Sequence, residues 1–202
     1  MHGDIKKNFA DAVVANYVGN FFGVDSLSAE KIFPWVTMED VALSNQKFEA
    51  AGKSYLLDKY LNTVAYCTAA LRLNPNNAKN IKLLMGLAHL ELGTSSSKWD
   101  FNDSIAACDL FDEVIEIDPT YSEAYLFCGI GIIHWGNNYE AAISYFDKTL
   151  ELAPENDLAR QYREVGRKCL EKKWDEAKRL FDKDLRLRGK ENRKNFVREI
   201  IE

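Results

Sequence analysis

Three short segments of the chain end alike: Ala70-Leu-Arg-Leu-Asn-Pro75, Val114-Ile-Glu-Ile-Asp-Pro119 and Thr149-Leu-Glu-Leu-Ala-Pro154. Their prolines lie 44 and 35 residues apart. Each follows a helical pattern and is followed by polar residues. Proline stops a helix there, because it has no N–H to donate and its ring clashes with the preceding turn. Further helix-like runs carry a glycine inside them, at Gly52, Gly86, Gly129 and Gly166. The unit is helix, tight turn, helix, proline turn, and it recurs about every 34 residues. One such pair cannot cover its own apolar face, whereas stacked pairs can. The period thus predicts an all-α chain with no sheet.

The residues inside the unit resemble tetratricopeptide (TPR) repeats. The first-helix pattern of that family, W-x2-L-G-x2-Y, is matched by Phe48-x2-Ala51-Gly52-x2-Tyr55. It returns as Tyr125-x2-Cys128-Gly129-x2-Ile132 and Tyr162-x2-Val165-Gly166-x2-Cys169, and more weakly as Lys82-x2-Met85-Gly86-x2-His89. The second-helix pattern A-x3-F reads Ala107-x3-Phe111, Ala142-x3-Phe146 and Ala177-x3-Phe181, and is degraded to Thr63-x3-Cys67. The fourth unit has Gly189 where the others have the closing proline. The resemblance implies a right-handed α-solenoid of about four TPR-like helix pairs over residues 44–189. It is flanked by an N-terminal helical extension, residues 1–43, and a C-terminal capping helix, residues 190–202.

The flanks are read from their own patterns. Ile5, Phe9, Val13, Tyr17 and Phe21 recur every fourth residue and make an apolar stripe, ended by Gly23 and, further on, Pro34. That helix would cap the first repeat, pair with a second protomer or lie in the groove. Thr37-x-x-Asp40 predicts a capping box opening a helix that runs to about Leu57. The serines of Thr94–Asp103 predict a loop carrying Trp99 and Phe101, either tucked onto the solenoid or presented to a partner. Glu191–Glu202 reads as a last helix with Phe196, Ile200 and Val197 facing the last repeat.

In the resembled family the first helices line a concave surface that binds peptides or helices of partner proteins. Positions 0, 3, 7 and 10 of such a helix share one face. The stripes are Gln46, Glu49, Lys53 and Leu56, then Asn80, Leu83, Leu87 and Leu90, then Glu123, Leu126, Ile130 and Ile133, then Arg160, Arg163, Arg167 and Leu170. The candidate binding residues are Leu83, Leu87, Leu126, Ile130, Ile133, Arg160, Arg163 and Arg167. Guanidinium groups hold carboxylates bidentately, so the arginines suit a partner with an acidic segment. The alternatives are that Glu164 and Glu171 neutralise them and that the apolar residues are core. Some TPR co-chaperones clamp the acidic C-terminus of heat-shock chaperones with lysine, asparagine and arginine. Glu49, Lys53, Leu84, Glu123 and Phe127 occupy the matching places here, so that clamp is not expected.

Charge divides the chain. Residues 44–154 carry 8 basic and 14 acidic groups, and residues 155–202 carry 15 and 11. The acidic body argues against nucleic acid. The longest apolar run, Tyr125–Ile133, is far below the ~20 residues needed to span a bilayer. The N-terminus has no basic region followed by an apolar run, so a cytoplasmic location is expected. Cys67, Cys108, Cys128 and Cys169 form no C-x-x-C pair and sit in apolar helical stretches, which suits buried thiols. His2, His89 and His134 are scattered; none of the catalytic motifs, metal spacings or phosphate-binding loops is present, so no cofactor is expected. Gly129-Ile-Gly131 lies within a helical stretch and follows no strand, as a dinucleotide loop would. These readings lead to a non-enzymatic adaptor or scaffold, monomeric or a homodimer. The alternative is a dimeric assembly or secretion-type chaperone that self-associates through its N-terminal helix.

Overall fold

The computed structural model describes residues 36–95, 101–135, 138–181 and 183–201. Among them there are nine α-helices, one 3₁₀ turn and no strand. The helices are α1 (Met38–Leu56), α2 (Tyr60–Leu73), α3 (Ala78–Ser95), α4 (Phe101–Ile117), α5 (Ser122–Trp135), α6 (Tyr139–Leu152), α7 (Asp157–Leu170), α8 (Trp174–Leu180) and α9 (Lys183–Ile201). The expected N-terminal helix lies outside the described residues.

The starts and stops follow local chemistry. The Thr37 hydroxyl accepts from the Asp40 backbone N–H at 3.0 Å, and the Asp40 carboxylate accepts from the Thr37 N–H at 3.1 Å, closing the expected capping box. Asn138 and Asn156 cap α6 and α7 by accepting from Ala141 and Ala159. After α1 the chain turns through Asp58, with φ +58°, and the Lys59 N–H closes on the Ser54 carbonyl. After α7 it turns the same way through Lys172, with φ +56°, and the Lys173 N–H closes on the Lys168 carbonyl. These left-handed closures satisfy carbonyls that a helix end leaves open. The loop expected over 94–103 is shorter than its serines suggested. Helix α3 runs to Ser95 and α4 begins at Phe101, leaving 96–100 outside the described residues.

Consecutive helices pack on one another from α1 through α8, and successive first helices, α1, α3, α5 and α7, also touch. Close approach is set by the glycines. A Cβ on Gly86 would lie 2.7 Å from the Phe111 ring, and one on Gly129 would lie 2.6 Å from the Phe146 ring. Each phenylalanine then reaches the next pair: Phe111 meets Phe127 with centroids 5.9 Å apart, and Phe146 meets Tyr162 at 5.9 Å. Buried rings of this size contribute ~1.5–3 kcal/mol each. They form one continuous core from Phe48 to Val197.

Helix α9 does not cap the last pair in the manner expected. It begins at Lys183 rather than near residue 190, and it packs on α1 and α3. Its apolar residues explain the difference. In the first pair Cys67 stands where other pairs carry phenylalanine, and Gly52 is covered instead by Ile201. Phe196 meets Phe127 of α5 rather than the last repeat.

Candidate interaction surface

The first helices present one shared face, and α9 lies on it. A Cβ on Gly189 would sit 3.0 Å from the Tyr162 hydroxyl of α7, and Arg188 donates to Gln161 at 2.7 Å. The Phe196 ring meets those of Phe127 and Tyr121, with centroids 5.6 and 6.4 Å apart. Arg193 Nε donates to the Glu91 carboxylate of α3 at 2.8 Å. At the far end Ile201 covers Gly52 of α1.

The centre of this contact is ionic and dry. The Arg193 and Glu91 side chains are 6% and 4% exposed. The Tyr55 hydroxyl also donates to Glu91, at 3.2 Å. Burial works against the Arg193 charge, yet the facing Glu91 carboxylate holds the guanidinium above its ordinary value. Burial, and then Glu91, push Tyr55 well above its ordinary value, so it stays a donor. The edge of the contact is wetter. Lys190 and Lys194 both reach Asp58, at 3.1 Å, and Lys194 also donates to the Leu56 carbonyl. The Tyr60 hydroxyl, then these lysines, hold Asp58 down at about 2.

The sequence-derived binding residues fall into two groups. Leu83, Leu87, Leu126, Ile130 and Ile133 are all buried. Ile133 packs at the position of Gly166, so it faces the next first helix. The arginines are more open but largely engaged. Arg160 pairs with Asp157 and lies 3.8 Å from Glu155, and Arg163 pairs with Asp147 of α6 at 2.8 Å. Arg167 is exposed, and its charge adds to those of Lys173 and Lys168 in holding the Glu171 carboxyl below its ordinary value. Glu164, expected to neutralise Arg160, pairs with Lys168 instead. None of these eight residues is among those that meet α9; the pattern did not single out Glu91, Arg193 and Asp58, which do. Their signal was a lone acid in the apolar run of α3 and a basic last helix.

Other polar clusters offer little chemistry. Asp112 accepts from Tyr145 at 2.8 Å, and the Cys128 thiol lies 4.0 Å away. Cys108 and burial hold that thiol far above its ordinary value, which makes a poor nucleophile. His89 sits 2.7 Å from Asp103 and ties α3 to α4. His134 is buried, edge-on to Phe181. Among the described residues no group of three His, Cys, Asp or Glu is placed to hold a metal, and no helix is long and apolar enough to cross a membrane.

No family model matches the chain, and no curated protein does. Solved structures match well. The Arabidopsis OM64 TPR domain superposes with a TM-score of 0.56 at 24% identity, over 64% of this chain and 98% of that one. The first TPR of Spaghetti (RPAP3), bound to the HSP90 peptide SRMEEVD, gives 0.56 at 18%, over 65% and 98%. The fold is that of a TPR domain. An O-GlcNAc transferase mutant from Thermobaculum terrenum gives 0.54 at 22% identity, over 64% of this chain and 23% of that chain. The TPR fold places α1, α3, α5 and α7 side by side, and this is the array on which α9 lies.

Proposed function

We propose that this protein is a non-enzymatic adaptor that holds a helical or peptide segment of a partner on the face of α1, α3, α5 and α7. The observation that carries the reading is α9 itself. That face accommodates an amphipathic helix, with Phe196 and Ile201 against Phe127 and Gly52, and a charge at the centre. The RPAP3 neighbour, which holds a peptide, lends support at the level of the fold. Its acidic peptide is not the expected ligand here. Of the clamp positions Glu49, Lys53, Leu84, Glu123 and Phe127, only Lys53 is basic, and it pairs with Glu49; the acids would repel such a peptide. In this reading Leu83, Leu87, Leu126, Ile130 and Ile133 support the face from below. Arg160, Arg163 and Arg167 stand beside it, with Arg167 the readiest to meet an acidic residue of the partner.

The test is photo-crosslinking in native lysate. A benzophenone amino acid is placed at Lys53 or at Arg167, both exposed on first helices, and the adducts are read by mass spectrometry. The expected result is one partner segment captured from both positions. Adducts scattered over unrelated proteins, or no partner segment shared by the two positions, would overturn the adaptor reading.

A further inference from the structure

The basic character of α9, its place across the first helices and one unsatisfied atom at its centre belong together. From Lys183 to Ile201 the helix carries seven basic and three acidic residues, whereas the body it lies on, residues 44–154, is acidic. The acids that meet it are Glu91 and Asp58. We propose that α9 is an internal ligand: it occupies the partner's place on the TPR face and is displaced by a basic amphipathic helix that sets an arginine against Glu91, with bulky apolar residues on either side of it. This rests on the adaptor reading and names its partner class.

Three observations carry it. First, α1 to α8 form a continuous stack of neighbours, and α9 lies across that stack without being interleaved between any two of its helices. Its departure breaks no turn between other helices. Second, the fit at the centre is incomplete. Arg193 is buried and uses Nε on Glu91, but its Nη1 has no hydrogen-bond partner. A buried donor without an acceptor forfeits the hydration it had in water, so α9 holds the face less tightly than the face allows. An incoming helix that supplies an acceptor beside its arginine holds it better. Third, the remaining polar contacts are half-exposed. Asp58 is shared by two lysines, and such pairs contribute little in water.

The face therefore selects against the acidic peptide type. Like charges at Glu91 and Asp58 would repel it, and specificity of this kind comes from the repelling group as much as from the attracting one. Competition also hides the binding site. A ligand that needs the open form binds more weakly in proportion to how seldom α9 is off.

Two measurements on the full chain test this. The first uses a fluorescein-labelled peptide of residues 183–202 as probe, read by anisotropy against wild type and against the Phe196→Ala, Ile201→Ala double variant. The variant is expected to bind the peptide at least about tenfold more tightly than wild type, as a weakened internal competitor requires. The same peptide with Arg193→Glu is expected not to bind. Equal affinity for the two proteins, or binding indifferent to that arginine, overturns the proposal. The second is hydrogen exchange on the unaltered chain, which decides the matter even if the double variant does not fold. Amides of α9 are expected to exchange at least about tenfold faster than those of α3 and α5, through an opening that leaves the stack intact. Exchange of all three helices in one global event overturns it. Either failure leaves the crosslinking test of the adaptor reading standing on its own.

Discussion

Arg193 and Glu91 are 102 residues apart in sequence and 2.8 Å apart in space, joined where the last helix crosses α3. Cutting such a buried pair on one side costs about 3–5 kcal/mol when the surviving charge stays buried. Glu91 has another way out. If α9 lifts, the carboxylate returns to water, and the loss stops at the docking free energy of α9. For Arg193→Met we therefore expect a nearly unchanged urea midpoint of the body, with exchange protection lost along α9. Adding Glu91→Gln is expected to restore protection, because the amide still accepts from Tyr55 and carries no charge. A global loss of about 3–5 kcal/mol in the single variant would instead make α9 an integral part of the core.

The glycines separate the two kinds of contact. On Gly86 a methyl group would come 2.7 Å from the Phe111 ring, which is fully buried and cannot retreat. On Gly52 it would collide with the side chain of Ile201, in the last turn of α9. Overpacking a fixed core costs about 1–3 kcal/mol, against a gain of up to about 1 kcal/mol in helix propensity. Gly86→Ala is expected to lower the urea midpoint clearly. Gly52→Ala should leave it within about 1 kcal/mol of wild type and speed exchange in the last turn of α9. The reverse order of stabilities would count against this account.

Much of the stack was legible because it is local. The glycine in each first helix, the proline after three of the second helices and the Thr37–Asp40 box all act within a few residues or at a fixed period. The place of α9 was not legible in the same way. The stripe of Phe196 and Ile200 gives an apolar side but no address, and the nearest repeat was the natural guess. The address lay in a defect elsewhere, with Cys67 in place of a ring and Gly52 left for Ile201. The arginine stripe misled for a related reason. Spacing along α7 aligns Arg160, Arg163 and Arg167, but Asp147 comes from α6 and Asp157 from the helix start. The loop over 94–103 was overdrawn because its serines outweighed the helical pattern on either side.

Acid should loosen α9 at its rim. Asp58 has its carboxyl held down at about 2 from an ordinary 3.8, first by the Tyr60 hydroxyl and then by Lys190 and Lys194. A depressed acid contributes stability that is present above its unfolded value and lost as pH falls through the folded one. The window is therefore roughly pH 4 down to 2. Asp58 is about half exposed, so the contribution is at most about 1 kcal/mol. We expect the protection of α9 amides, relative to those of α3, to fall across that window in wild type. In Asp58→Asn, with the Lys190 and Lys194 pairs already gone, that relative protection should be flat with pH. A wild-type curve as flat as that of the variant would remove Asp58 from the docking of α9.

Asp112 runs the other way. Burial raises its carboxyl above the ordinary 3.8, the Tyr145 hydroxyl opposes the shift, and Asp109 and Glu116 add to it. A raised acid weakens the fold once pH climbs past its folded value, and the cost vanishes below its unfolded value. Asp112→Asn removes the charge and keeps an oxygen for Tyr145, which donates at 2.8 Å. At pH 7 the variant is therefore expected to be as stable as wild type or more stable. The advantage should fade as pH is lowered toward the ordinary 3.8, because the raised carboxyl takes up its proton ahead of an ordinary one. Urea midpoints at pH 7 and pH 4 measure both. A variant less stable than wild type at pH 7 would mean that the ionised carboxylate stabilises the α4–α6 contact, and that Tyr145 does more for Asp112 than burial takes away.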